Sequence, residues 1–259
     1  MKFIIYNLGC KVNSYESNVM TENLENAGYL LTDNVKEANI AIVNTCSVTN
    51  TADSKSLKTL RQVKKNNPNI ILIACGCLAQ VNSGVIKEKT NADIIIGNIG
   101  KSKIVDIIKN YLKDKNSIED IKDIMHSSFE TMQLNNFDKT RAFVKIQDGC
   151  NNFCSYCIIP YTRGNVRSKP KDDVIKEVKE LIKSGHQEIV LAGIHTGHYG
   201  SEFKDYDFAD LLNELVKIDG LLRLRISSIE IVELNDKFLE ALKNNKVLVD
   251  HLHIPLQSG

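Results

Sequence analysis

Three cysteines crowd into one short stretch, Cys150-Asn151-Asn152-Phe153-Cys154-Ser155-Tyr156-Cys157, spaced four and then three positions apart. Thiolates are soft ligands that suit iron–sulfur clusters or zinc, and the two want different numbers of donors. Structural zinc closes a tetrahedron on four ligands, usually from two separated pairs. Here one stretch offers three thiols and no evident fourth. An iron–sulfur cubane held by three cysteines would keep one iron free to bind something else. A zinc knuckle, or a chance cluster of cysteines, is the competing reading.

The rest of the chain must position that stretch. Its 259 residues are enough for one large or two medium domains, each with a real core. With 42% hydrophobic and 25% charged residues, the composition is that of a soluble globular protein. A net charge of +1 neither announces a nucleic-acid partner nor excludes a local basic patch. The opening Met1-Lys2-Phe3-Ile4-Ile5-Tyr6 is too short for a signal-peptide core. No apolar run approaches the roughly 20 residues that span a bilayer. Seven cysteines without an export signal argue for a reducing compartment and metal ligation over disulfides, so a cytoplasmic protein with no membrane contact is expected.

Residues 1–112 alternate short apolar runs with amphipathic stretches. Strands are predicted at Lys2–Leu8, Asn39–Thr45, Ile70–Ala74 and Asp93–Ile96. Helices are predicted at Ser17–Ala27, Ala52–Asn66, from Cys77 to near Thr90, and at Ser102–Leu112. Such alternation implies an open parallel sheet covered on both faces, a Rossmann-like domain. Cys10 follows the first strand, Cys46 the second, and Cys75 and Cys77 close the third. Ligands of open α/β sheets collect outside the carboxyl ends of the strands, so these distant thiols are expected to converge at one sheet edge. Cys75 continues the apolar run Ile71-Leu72-Ile73-Ala74 and reads as core. Cys77 follows Gly76 at a turn and reads as the ligand. Three separate core cysteines is the plainer alternative.

Residues 113–139 are polar and read as a linker, with at most a short element near Ile121–Met132. From residue 140 the alternation resumes. Strands are predicted at Ala142–Gln147, Glu188–Ala192, Leu222–Ser227 and Val249–Pro255, with helices at Asp172–Ser184, Phe208–Ile218 and Asp236–Asn244. This is a partial (β/α) barrel, whose chemistry belongs at the C-terminal strand ends. The three-cysteine stretch follows the first strand, Gly193-Ile194-His195-Thr196-Gly197-His198 the second, and Ser227-Ser228-Ile229-Glu230 the third. Gln257-Ser258-Gly259 follows the fourth. The spacing of His195 and His198 on a glycine-rich loop points to ordinary loop polarity rather than a metal or acid–base role.

Leu8-Gly9-Cys10-Lys11-Val12-Asn13-Ser14-Tyr15-Glu16-Ser17, Asn44-Thr45-Cys46-Ser47-Val48-Thr49 and Gly76-Cys77-Leu78-Ala79-Gln80 resemble the N-terminal domain of the radical S-adenosylmethionine (SAM) methylthiotransferases. The CxxxCxxC stretch, with Tyr156 before its last cysteine, resembles the same family's radical SAM core. The resemblance runs over essentially the whole chain. It implies one 4Fe-4S cluster on Cys150, Cys154 and Cys157 and an auxiliary 4Fe-4S cluster on Cys10, Cys46 and Cys77. It also implies SAM contacts from Gly193, Ser228, Glu230 and Gln257. Arg163 and Arg167 match the family too, and are expected at an RNA phosphate or the SAM carboxylate, or else in surface salt bridges. The family has six barrel strands and a further small β-barrel that grips tRNA. The sequence given ends after four, so part of a longer protein is expected.

The implied chemistry starts with an electron from a donor such as flavodoxin or ferredoxin. Cleavage of SAM then gives a 5′-deoxyadenosyl radical that abstracts hydrogen from an unactivated C–H bond. The auxiliary cluster presents sulfur, methylated from a second SAM. The quoted motifs, with Gly193-Ile194-His195 and Ile226-Ser227-Ser228-Ile229-Glu230, look most like the branch acting on threonylcarbamoyl-adenosine in tRNA. Branches acting on isopentenyl-adenosine in tRNA or on a ribosomal-protein aspartate are the alternatives. A different class, a non-enzymatic two-cluster electron carrier, would hold both clusters but cleave no SAM.

Overall fold

The computed structural model describes residues 1–137 and 139–257. By internal packing the chain divides into two units. The first comprises Met1–Met132 with Asn152–Gly164, and the second Gln133–Asn151 with the chain from Asn165 onward.

The first unit is built as β1 (Lys2–Asn7), α1 (Lys11–Asn26), β2 (Leu30–Leu31), β3 (Ile40–Thr45), α2 (Asn50–Asn66), β4 (Ile71–Gly76), α3 (Cys77–Thr90), β5 (Ile94–Ile96), a 3-10 turn at Lys101–Lys103, α4 (Ile104–Asp114) and β6 (Ile118–Asp120). All six strands pair in parallel in the order β2-β1-β3-β4-β5-β6. Alternation along the strands explains the two cores. Ala41, Val43, Leu72 and Ala74 face Leu60 and Val63 of α2 and Leu78 and Ile86 of α3. Ile40, Ile42, Ile71, Ile73 and Cys75 face Met20 and Leu24 of α1 and Ile104 and Ile108 of α4.

The elements depart from expectation at three places here, the first being the unexpected two-residue edge strand β2. Helix α1 begins at Lys11, six residues before Ser17: its first turns bury polar Asn13, Glu16 and Ser17 alongside Val12 and Tyr15, and the inward polar residues blur the apolar period. The stretch taken as a linker contributes β6, whose register on β5 pairs Ile94 with Ile118 and Ile96 with Asp120. A three-residue edge strand carrying Glu119 and Asp120 has no apolar period to announce it.

The second unit holds β7 (Arg141–Lys145), β8 (Gln147–Asp148), β9 (Arg167–Ser168), α6 (Lys171–Lys183), β10 (Glu188–Ala192), α7 (Phe208–Leu215), β11 (Arg223–Ile226) and α8 (Asp236–Asn244). The remaining helix, α5 (Ile159–Arg163), packs with the first unit. Strands β11-β10-β7 form a parallel sheet, and β8 pairs antiparallel with β9. The strand expected at Val249–Pro255 does not form. Only an isolated parallel bridge joins Leu224 to Leu248. Asp250, His251 and His253 are exposed or polar there, and Pro255 has no amide to donate. Among the described residues no helix is long and apolar enough to cross a membrane.

Candidate functional site

In the first unit, three strand ends each deliver a cysteine. Cys10 stands at the mouth of α1 in extended backbone and is exposed, while Cys46 and Cys77 are buried. Ser56 clamps the Cys46 peptide, its hydroxyl accepting the Cys46 N–H at 3.2 Å and donating to the Cys46 carbonyl at 3.1 Å. Burial pushes the Cys46 thiol up, against a Val48 amide that lowers it. The charges of Cys77 and Cys10 add to the rise, so both lie within electrostatic reach of Cys46. Cys75 points into the opposite core, fully buried, and its burial lifts the thiol to about 12. It pairs in register with Asn44 and Ile96 inside the sheet, where no ligand reaches it.

Gly76 makes the difference between the two neighbouring thiols. It breaks the strand at φ +97°, a region closed to most side chains. A Cβ there would sit 2.6 Å from both Asn44 Oδ1 and the Thr45 carbonyl. Cys77 then opens α3 outside the sheet. Gly76→Ala is expected to destabilise the protein by about 2–3 kcal/mol, read from chemical denaturation. An unchanged midpoint would show the turn to be unstrained.

Behind the trio lies a buried polar network that the sequence did not announce. Asn13 Oδ1 contacts Cys10 Sγ at 3.5 Å, and its amide donates to Asn44 Oδ1 at 3.1 Å and to the Thr45 carbonyl at 3.0 Å. Asn98 Nδ2 reaches Cys77 Sγ at 3.6 Å and the Thr162 carbonyl at 2.7 Å. Both asparagines are held by one charge cluster. Arg163 donates to Asn13 Oδ1 at 2.8 Å and to Glu16 at 2.5 Å, while Lys101 pairs with Glu16 and donates to Asn98 Oδ1 at 2.9 Å. The side chains of Glu16, Lys101 and Arg163 are all 0% exposed. Arg163 is therefore neither a surface salt bridge nor a free phosphate contact. The i, i+3 spacing of Cys10, Asn13 and Glu16, which places them on one helix face, was the available signal. Lys101 and Arg163 set buried cations behind the thiols, one step away through Asn98 and Asn13, which suits an anionic cluster.

On the CxxxCxxC loop all three thiols are half-buried and in no disulfide. Cys154 and Cys157 pack with the first unit and Cys150 with the second. The Cys157 amide donates to the Cys154 carbonyl at 2.9 Å, a tight turn. Phe153 takes φ +45° and meets Tyr161 edge-on at 5.9 Å.

In the second unit, Cys150 Sγ lies 3.8 Å from His195 Nδ1. His195 and His198 stack with ring centroids 3.7 Å apart. Their Nε2 atoms lie 2.5 and 3.4 Å from the same oxygen of Glu233. These contacts are electrostatic, because His195 Nε2 and Glu233 Oε1 are buried without an aligned hydrogen bond. Burial opposes the charge on His195, but its contacts with Cys150 and Glu233 outweigh that and raise its pKa to about 10. Burial and the neighbouring His195 charge push His198 down. The pair is thus not ordinary loop polarity. Glu233, 38 positions from His195 in the chain, was missed because nothing in local pattern links them.

The predicted SAM contacts are placed as follows. Gly193 is half-buried, and a Cβ there would lie 3.0 Å from Gln147 Oε1. Ser228 and Glu230 are half-buried, and exposed Gln257 donates to Glu230 Oε1 at 3.4 Å. Ser258 and Gly259 lie outside the described residues. Arg167 is 6% exposed and 3.7 Å from Asp148.

Comparison with known proteins adds a second line of evidence. A family described as "Uncharacterized protein family UPF0004" matches residues 2–97, and the "Radical SAM superfamily" matches residues 144–259. The threonylcarbamoyladenosine tRNA methylthiotransferase MtaB of Bacillus subtilis is 42% identical over 98% of this chain and 57% of its own length. MtaB of Aquifex aeolicus is 34% identical over 100% of this chain and 63% of its own. A tRNA-2-methylthio-N(6)-dimethylallyladenosine synthase of Clostridium perfringens is 36% identical over 99% and 59%. The chain thus spans under two thirds of the length of these relatives. Among solved structures, the radical S-adenosylmethionine methyltransferase TsrM of Kitasatospora setae superposes with a TM-score of 0.60 at 13% identity, over 93% of this chain and 57% of that one. That likeness is one of fold.

Proposed function

Since the chain belongs to the radical SAM methylthiotransferase family, a UPF0004 domain followed by a radical SAM domain, we propose that it adds a methylthio group to tRNA. The substrate is N6-threonylcarbamoyladenosine at position 37, beside the anticodon. The observation that carries this reading is the pair of three-thiol sets, one on the CxxxCxxC loop and one at three strand ends of a parallel sheet.

Cys150, Cys154 and Cys157 would hold one 4Fe-4S cluster and Cys10, Cys46 and Cys77 the other. When bound, these groups supply one-electron reduction of SAM and a sulfur for transfer. The protein's part is positional. Asn13 and Asn98 fix two of the auxiliary thiols and are themselves fixed by Arg163, Glu16 and Lys101. Gln147 accepts the His195 amide at 2.8 Å while donating to the Asp148 and Gly149 carbonyls, so it ties the base of the cysteine loop to the loop after β10. Gly193, Ser228, Glu230 and Gln257 are the SAM contacts, and an external one-electron donor is a required partner.

The threonylcarbamoyl substrate is favoured by 42% identity to the Bacillus subtilis relative of that name, against 36% for the dimethylallyl-adenosine relative. Nucleoside analysis of tRNA from cells with and without the gene tests it. Loss of 2-methylthio-threonylcarbamoyladenosine, with its precursor retained, is the expected result. Loss of the dimethylallyl methylthio base instead would move the chain to the second branch, and an unchanged profile would reject both. An electron carrier would yield no 5′-deoxyadenosine when reduced with SAM.

A further inference from the structure

We propose that His195 is a positioning residue for Cys150: its Nδ1–H donates to the Cys150 sulfur, Glu233 holds the far side of the ring, and this contact sets how readily the attached cluster accepts an electron. The inference rests on the assignment of Cys150 to the radical SAM cluster made above.

Four restraints fix the imidazole. Its backbone amide donates to Gln147 Oε1 at 2.8 Å. Gln147 in turn donates to the Gly149 carbonyl at 2.7 Å, immediately before Cys150. The ring and the thiol are therefore referenced to the same side chain. At the other end, Nε2 meets Glu233 Oε1 at 2.5 Å, and the second Glu233 oxygen accepts the Glu230 amide at 2.9 Å. One ring face is covered by His198 at 3.7 Å. A Cβ at position 197 would overlap this carboxylate, so glycine leaves it room against the ring.

With the His195 side chain 6% exposed, water offers Nδ1 little competition. The remaining polar direction of the ring faces Cys150 Sγ at 3.8 Å, within hydrogen-bond range for the larger sulfur atom. Neither an ionised carboxylate nor a ligating thiolate carries a proton, so toward both Glu233 and Cys150 the ring can act only as an N–H donor. An N–H donated to a ligating sulfur draws density from it and favours the reduced cluster.

The test uses anaerobically reconstituted chain in a Cys10→Ala, Cys46→Ala, Cys77→Ala background, so that one cluster reports. The readouts are iron content and the midpoint from an EPR-monitored titration. His195→Leu is expected to keep its iron and to make reduction about tenfold less favourable, a shift of about 59 mV to lower potential for one electron. His195→Gln, which keeps an N–H donor, is expected to recover part of it. Should the Leu variant fail to fold, His195→Asn, too short to reach the sulfur, carries the same expected shift. A midpoint unmoved in a loaded variant overturns the proposal and leaves the cluster assignment standing. Full iron after Cys150→Ala overturns the assignment itself. One zinc per chain, lost on His198→Ala, would also overturn the proposal by giving the two histidines and Glu233 to a cation.

Discussion

Replacing Cys10, Cys46 and Cys77 together by alanine is expected to halve the iron of the anaerobically reconstituted protein, from about eight to about four per chain. It should also abolish methylthio transfer while 5′-deoxyadenosine still forms. The division follows from where the thiols stand. Cys10, Cys46 and Cys77 close three neighbouring strands of one sheet, and Cys46 feels the charge of the other two. Cys150, Cys154 and Cys157 share a single loop. Losing one set leaves the other its three donors. Cys75→Ala is the internal control, because that thiol is 0% exposed between Ile73 and the α1/α4 core and should cost no iron. Full iron in the triple variant would remove the auxiliary site, and with it the sulfur-donating half of the proposal.

Cys75 and Cys77 also show what a sequence can disclose. Alternation along Ile71-Leu72-Ile73-Ala74-Cys75 assigns a face to every residue, and Gly76 marks where alternation stops. Periodicity is local, so the parallel sheet and its helices were readable, and so were the strand ends on which the cysteines fall. What escaped is non-local or polar. The early start of helix α1 was hidden because Asn13 and Glu16 turn inward, and an inward-facing polar residue looks to any periodicity rule like solvent exposure. Arg163 meets Glu16 across 147 positions, a pairing set by the fold rather than by a motif. The partnership of His195 with Glu233 was hidden for the same reason. Strand β6 is too short and too acidic to register as a period, and the region after β11 had the apolar residues of a strand but spends Pro255 and Asp250 where a ladder needs neither.

Glu16→Gln is expected to destabilise the first unit by about 3–5 kcal/mol, because it removes the buried carboxylate on which both Lys101 and Arg163 close. For a unit of this size that is a fall in melting temperature of roughly 10 °C. The loss should spread to the auxiliary thiols. Arg163 fixes Asn13 at 2.8 Å and Lys101 fixes Asn98 at 2.9 Å, and these two asparagines touch Cys10 and Cys77. Replacing Glu16, Lys101 and Arg163 together with methionine removes all three buried charges at once. Such swaps are often neutral or stabilising by about 1–4 kcal/mol, so the triple variant should regain the melting temperature. It should not regain the auxiliary iron signal at wild-type strength, since nothing then orients the two asparagines or offsets the charge of the cluster. Calorimetry and iron analysis on the two variants separate the roles. Recovery of both would make the ion cluster a matter of stability alone, whereas recovery of the melting temperature without the iron identifies it as the frame of the sulfur-donor site.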